Sequence, residues 1–217
     1  MRGTKIVLDL EFISNRQLHQ PFAVHEIIEI GAVALNIENE IMDEFQIYVK
    51  PQYGTVPPTI TSITGITNDM LVKASHFSDA MQAFEAWLPQ KEAYRFYTWS
   101  QNDQTVFLRE SEWKERPLLD GFYKYWVDLQ RLHQRIYHFS RPLKLVEALG
   151  SMQIEFEGTE HGALADARNT AKILQVLSNV RGVQEIRSHS HVTYNDDRHT
   201  AGFTLGLQIR KSSHSRR

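Results

Sequence analysis

Apolar residues follow two rhythms along this chain, dense short runs early and three- to four-residue steps later. Residues 5–12 (KIVLDLEF), 26–37 (EIIEIGAVALNI) and 41–50 (IMDEFQIYVK) are rich in Ile, Val and Leu and have the length of strands. Asn39 and Glu40 lie between the second and third runs, which predicts a hairpin connection. Residues 13–25, with His19, Gln20 and Pro21, read as a polar loop. Pro51, Gly54, Pro57 and Pro58 break regular structure, and Thr64-Gly65-Ile66-Thr67 opens a short helical region.

The helical rhythm then takes over. Residues 79–88 place Met81, Phe84 and Leu88 at helical spacing and stop at Pro89. Residues 93–99 (AYRFYTW) read as a fourth strand and 103–110 as a helix with Val106 and Phe107 on its apolar side. A fifth strand is expected within 122–129, followed by helix through Tyr137. Residues 142–149 predict a helix with Pro142 in its first turn. Residues 164–177 give the clearest helix, with Leu164, Ala167, Ala171, Leu174 and Leu177 on one stripe. Three strands in succession, then alternating helix and strand, predict an α/β fold with a mixed five-stranded sheet flanked by helices.

The pattern changes near Arg181. His189, His191, His199 and His214 accumulate there, Asn195-Asp196-Asp197 follows, residues 202–209 could form one more strand, and the end is basic. The expected organisation is one domain over residues 1–180 and a tail over 181–217.

Composition narrows the function classes. A length of 217 residues with 41% hydrophobic content suits one domain with a full core. The formal net charge of −2 excludes a global basic field, so any nucleic-acid contact must come from a local patch. There is no cysteine, which excludes disulfides, thiolate metal sites and cysteine nucleophiles. No apolar stretch has the length of a membrane span, so no membrane partner is expected. Met1 to Lys5 run straight into the first strand without a signal peptide, and a cytoplasmic location is expected.

The chemistry lies in the carboxylates. Asp9 and Glu11 interrupt the first apolar run two residues apart, and on a strand such residues share a face. Two carboxylates side by side at the end of a buried strand repel each other and resist desolvation, and a divalent cation is the usual compensation. Asp103 and Asp166 fall in the first turns of predicted helices, where each alone reads as a favourable placement near a helix N-terminus. His161, alone, reads as one of ten histidines. Together, four carboxylates and an imidazole have the makings of a two-metal phosphoryl-transfer site. Hard oxygen ligands suit Mg²⁺ or Mn²⁺, and an imidazole, which titrates near neutral pH, can take a proton from water.

In this order, Asp9-Leu10-Glu11, then Asp103, then His161 with Asp166 five residues on, the set resembles the DEDDh class of 3′–5′ exonucleases. Residues 29–33 (EIGAV) resemble the second strand of that class, 64–67 its nucleotide-contacting turn and 161–166 (HGALAD) its third motif, so the likeness spans roughly residues 5–177. Within the class the chain looks most like the branch of histone-mRNA and small-RNA 3′ exonucleases. The resemblance implies an RNase H-like fold and two divalent cations, Mg²⁺ or Mn²⁺, on Asp9, Glu11, Asp103 and Asp166. It implies His161 as general base, and Glu11, Phe12, Gly65, Ile66 and His161 around the terminal nucleotide. The implied partner is the 3′ end of single-stranded RNA or DNA, and the implied product is a nucleoside 5′-monophosphate. RNA is the favoured substrate. However, that branch often has an aromatic residue before the third acid and an apolar one after it, where this chain has Asn102 and Gln104. A DNA exonuclease, or a non-catalytic nucleic-acid-binding module on the same fold, is the alternative.

Overall fold

The computed structural model describes residues 3–15, 24–90 and 93–179. Six strands form one mixed sheet: β1 (Thr4–Asn15), β2 (Val24–Leu35), β3 (Ile41–Lys50), β4 (Ser75–His76), β5 (Tyr94–Thr98) and β6 (Trp126–Asp128). Their spatial order is β4-β3-β2-β1-β5-β6. β1, β2 and β3 pair antiparallel, whereas β5 runs parallel to β1, β6 to β5, and β4 to β3.

β1 reads as a nearly unbroken apolar run because both faces of the sheet are covered. Ile6, Leu8 and Leu10 point into a cluster with Phe84, Phe96, Phe107 and Phe122. Val7 points the other way, into a cluster with Leu149, Ala167, Ala171 and Leu174. The first layer holds α3 (Phe77–Trp87), α4 (Asn102–Trp113) and the turn α5 (Gly121–Lys124). The second holds α6 (Leu129–Ile136), α7 (Leu145–Ser151) and α8 (Ala163–Asn179). The small residues Ala167 and Ala171, both fully buried, let α8 lie close on β1 and β2.

The five expected strands are present, and several boundaries differ for physical reasons. Residues 13–15 and 24–25, expected in a loop, continue the β1–β2 ladder as far as Asn15 opposite Val24, beyond a register shift at Glu11/Phe12. The hairpin at Asn39 closes with a left-handed residue (φ 68°) and an Asn36 N–H donating to Glu40 O at 3.0 Å. Residues 64–67 are a junction rather than a helix start. Gly65 ends α1 (Pro58–Thr64) at φ 75°, and the Thr67 hydroxyl caps α2 (Asn68–Leu71) by accepting from Met70 N–H. Three of the eight residues in the span read as holding a fifth strand belong instead to the turn α5, and three form β6.

Pro142 lies ahead of α7 rather than in its first turn. The chain stays extended there because Leu143 O accepts from Trp99 Nε1 (3.2 Å) and Gln130 Nε2 (2.8 Å), which ties it to β5 and α6. The helix instead starts where Glu147 accepts from the Lys144 backbone N–H at 2.8 Å. The tail, with its expected strand at 202–209, lies outside the described residues.

Candidate active site

The carboxylates meet where β1 outruns its parallel neighbour. β5 pairs with β1 only from Thr4 to Val7, so the β1 backbone beyond Val7 is open on that side. Asp9 and Glu11 continue the face on which Val7 packs against α8, and they emerge where that helix begins. Asp103, 5% exposed, sits in the first turn of α4. Its carboxylate accepts from its own amide and from the Leu10 amide on the open edge of β1, so it does more than cap its own helix. Asp166 occupies the first turn of α8, its backbone N–H donating to Gly162 O at 2.9 Å.

His161 lies in the turn before α8 with φ 62°, a left-handed conformation that non-glycine residues adopt only where the surroundings impose it. The loop that carries it is held by buried Asn169. Asn169 Nδ2 donates to Glu157 O (2.8 Å) and Asn169 Oδ1 accepts from Glu157 N–H (3.1 Å), which fastens the loop to α8. The His161 backbone amide in turn donates to the Asp166 carboxylate.

This seating depends on a residue without a side chain. Gly31 lies opposite Asp9 in the ladder, and a Cβ there would come within 2.1 Å of Leu164 N and 2.2 Å of Ala163 C. The start of α8 therefore rests directly on the β2 backbone.

Glu11, His161 and Asp166 can each present a ligand atom with all three atoms within 4.8 Å of one another. Asp9 connects this group to Asp103. Burial holds its carboxyl well above the ordinary carboxylate range, and the charges of Asp103, Asp166, Glu11 and Glu29 add to that. Burial, with Asp166 and Glu29 next, pushes Glu11 up to about 9. Asp103 rises to about 7, again chiefly by burial. Asp166 rises to about 6, burial prevailing over the opposing His161 contacts. Asp166 Oδ1 is buried without a hydrogen-bond partner among the described residues. Close-set carboxylates, no lysine or arginine among their strongest electrostatic neighbours and an orphaned oxygen aimed inward make a donor set that fits hard divalent cations.

A stability test follows. A carboxyl whose pKa is raised by folding contributes stability that is complete below its unfolded pKa of about 4 and is lost as pH rises through its folded value. With folded values of about 6, 7 and 9 for Asp166, Asp103 and Glu11, the metal-free protein should lose melting temperature steadily from about pH 5 to 9. Mg²⁺ or Mn²⁺ should raise it most at the alkaline end, where protons compete least. Melting curves in EDTA and in metal across that range check this. A flat profile without a metal increment would contradict the site.

The other expected contacts are placed less simply. Phe12 is partly buried against the first cluster and meets the His25 ring edge-on at 5.0 Å. Ile66 is core, packed with Ile13 and Ile28, so the junction flanks β1 just beyond Glu11. Its backbone groups are already engaged, with Thr61 Oγ1 on its carbonyl (2.8 Å) and Thr64 Oγ1 accepting from its amide (3.1 Å). The Gly65 amide is spent on Thr61 O at 2.8 Å. Two further carboxylates belong to the neighbourhood and were not singled out by the sequence. Glu29 faces Glu11 across the ladder, and Asp128, which caps α6 through the Arg131 amide, raises Asp103. For Glu29 the sequence offered a charge inside the apolar run of β2 and a place at the head of the 29–33 segment that resembles the class's second strand.

The model of the exonuclease family matches residues 6–174. The chain belongs to the exonuclease family. This exonuclease-family chain is 32% identical to human 3′–5′ exoribonuclease 1 over 161 residues, 70% of this chain and 46% of that protein. It is 32% identical to ERI1 exoribonuclease 2 of Danio rerio over 192 residues, 78% of this chain and 34% of that protein. It thus spans less than half the length of either relative. Among solved structures, the nuclease domain of 3′hExo bound to rAMP, a DEDDh family member, matches with a TM-score of 0.72 and 26% identity. That match covers 85% of this chain and 93% of the other. Within the exonuclease family the chain falls in the DEDDh class, on the branch of the histone-mRNA exonuclease, and the class implies divalent metal ions.

Proposed function

We propose that this chain is a metal-dependent 3′–5′ exonuclease that releases nucleoside 5′-monophosphates from single-stranded ends, RNA favoured over DNA. The observation that carries the reading is the convergence of Glu11, His161 and Asp166 within 4.8 Å beside the half-buried Asp9 and the buried Asp103. In this reading Asp9, Glu11, Asp103 and Asp166 hold two divalent cations, Mg²⁺ or Mn²⁺. When bound, these supply charge neutralisation and Lewis acidity at the scissile phosphate. The backbone at Glu11 and Phe12 cradles the terminal nucleotide, and the turn at Gly65 and Ile66, whose amides are engaged within the protein, flanks it by shape.

His161 is exposed, so its imidazole is open to water and to an incoming strand. It accepts the proton of the attacking water as that oxygen bonds to phosphorus. The bond to the 3′ oxygen of the preceding nucleotide breaks, and that oxygen leaves and takes up a proton from solvent to become a hydroxyl. The Asp166 carboxylate lies beside that imidazole. His161→Ala should lower the rate by about 10²–10⁴-fold, the usual worth of a positioned base, while Mn²⁺ affinity stays near wild type. A collapse of metal affinity would make His161 a ligand instead.

The deciding experiment digests 5′-labelled RNA and DNA of one sequence in Mn²⁺, Mg²⁺ or EDTA. A metal-dependent ladder shortening from the 3′ end, faster on RNA, is expected. Faster loss of DNA would make the chain a DNA exonuclease. Retention of both strands without cleavage would make it a binding module. A cytoplasmic location belongs to the same proposal and is checked by imaging a tagged copy. No helix among the described residues is long and apolar enough to cross a membrane.

A further inference from the structure

Glu29 is a charged residue inside the central strand of the sheet, only 2% exposed. Both of its oxygens are used. Oε1 accepts from Gln46 Nε2 on β3 at 2.6 Å, and Oε2 accepts from the backbone N–H of Ala163, the first residue of α8, at 3.1 Å. Across the ladder it stands directly opposite Glu11. A core residue at this register would ordinarily be apolar, like its neighbours Ile28 and Ile30, both fully buried. A buried carboxylate beside other carboxylates is costly, and two hydrogen bonds and the positive end of a 17-residue helix offset only part of that cost. The fold accepts it at the point where α8 must be seated to bring Asp166 to Glu11.

We infer that Glu29 is a positioning residue for divalent-cation binding: oriented by Gln46, it fixes the first turn of α8 through the Ala163 amide and adds a negative charge behind Glu11 and Asp166 without touching the cation. The inference rests on the nuclease reading and deepens it. Its charge acts on Asp9, Glu11 and Asp166 alike. Partners of this kind, bonded to the ligands' scaffold rather than to the metal, typically carry a factor of about 10–100 in metal affinity. A purely structural role predicts something else. A Gln at position 29 keeps the shape and an acceptor oxygen for Ala163, and the Gln46 amide can rotate to receive its NH₂ group. Such a change would leave metal affinity alone.

The test is a Mn²⁺ binding isotherm on the full chain without nucleic acid, alongside melting curves in EDTA. Glu29→Gln should weaken Mn²⁺ binding by about tenfold or more while the metal-free melting temperature holds or rises, since one charge leaves a repulsive cluster. Gln46→Ala, which keeps the charge and loses its orientation, should shift affinity in the same direction by less. If Glu29→Gln binds Mn²⁺ as the wild type does, or only its melting temperature falls, the inference is overturned whatever the nuclease assay gives. If Glu29→Gln does not fold, Gln46→Ala decides, and wild-type affinity in that variant overturns the inference. If the wild-type chain binds no Mn²⁺, the functional reading itself fails and takes this one with it.

Discussion

Asp9→Asn should abolish nucleotide release and, at the same time, raise the melting temperature of the metal-free protein. Both effects have one cause. The Asp9 carboxylate is desolvated and faces Asp103, Asp166, Glu11 and Glu29, so in the absence of cations its charged form is disfavoured. Asparagine fills the same space without the charge, which relieves repulsion and desolvation together. It is also a neutral, weaker oxygen donor toward Mg²⁺ or Mn²⁺. Metal ions at such sites supply several kcal/mol of transition-state stabilisation, so a loss of roughly 10³-fold or more is expected, at about 1.4 kcal/mol per decade. Rate and melting temperature measured on one preparation separate this outcome from misfolding, which would lower both. Full activity in Asp9→Asn would remove Asp9 from the site.

The second large effect is expected from a single methyl group. Gly31→Ala places a Cβ where Leu164 N and Ala163 C already lie, at 2.1 and 2.2 Å. These are backbone atoms at the start of a helix, so no flexible side chain can swing aside. Overpacking of this kind costs about 1–3 kcal/mol, and α8 must rise off β2 to relieve it. Asp166 and the His161 turn ride on that end of the helix. A displacement of about 1 Å at a reacting centre is worth around 10²-fold in rate, so Gly31→Ala should lose activity out of proportion to its stability. A variant that melts a few degrees lower yet cleaves at the wild-type rate would show that α8 is not seated as described.

The two halves of the site were unequally legible in the sequence. Residues that a strand or helix buries on a regular period could be read directly. Val7 and Leu8 show it on β1, and Ala167, Ala171 and Leu174 on α8. The extension of β1 and β2 to Asn15 and Val24 could not, because paired backbone groups hold it and the polar Ser14 and His25 interrupt the apolar run. The two residues of β4 carry no rhythm at all. Leu143 stays extended for the sake of two side chains donated from other elements, and no local pattern records that. The five site residues were visible as an ordered set through likeness to a family. Their supports, Glu29, Gly31 and Asn169, act through partners far away in the chain, and only the register of β1 against β2 and the seating of α8 reveal what each one holds.

That seating has a consequence for synthesis. Asp9 leaves the ribosome well before Asp166, and the two become neighbours only when α8 docks on a sheet made earlier. A growing chain that has emerged only as far as α7 holds three of the four carboxylates but neither Asp166 nor His161, so the proposed site is incomplete. On this reading the site comes into being in one step, when α8 follows the sheet and seats on it.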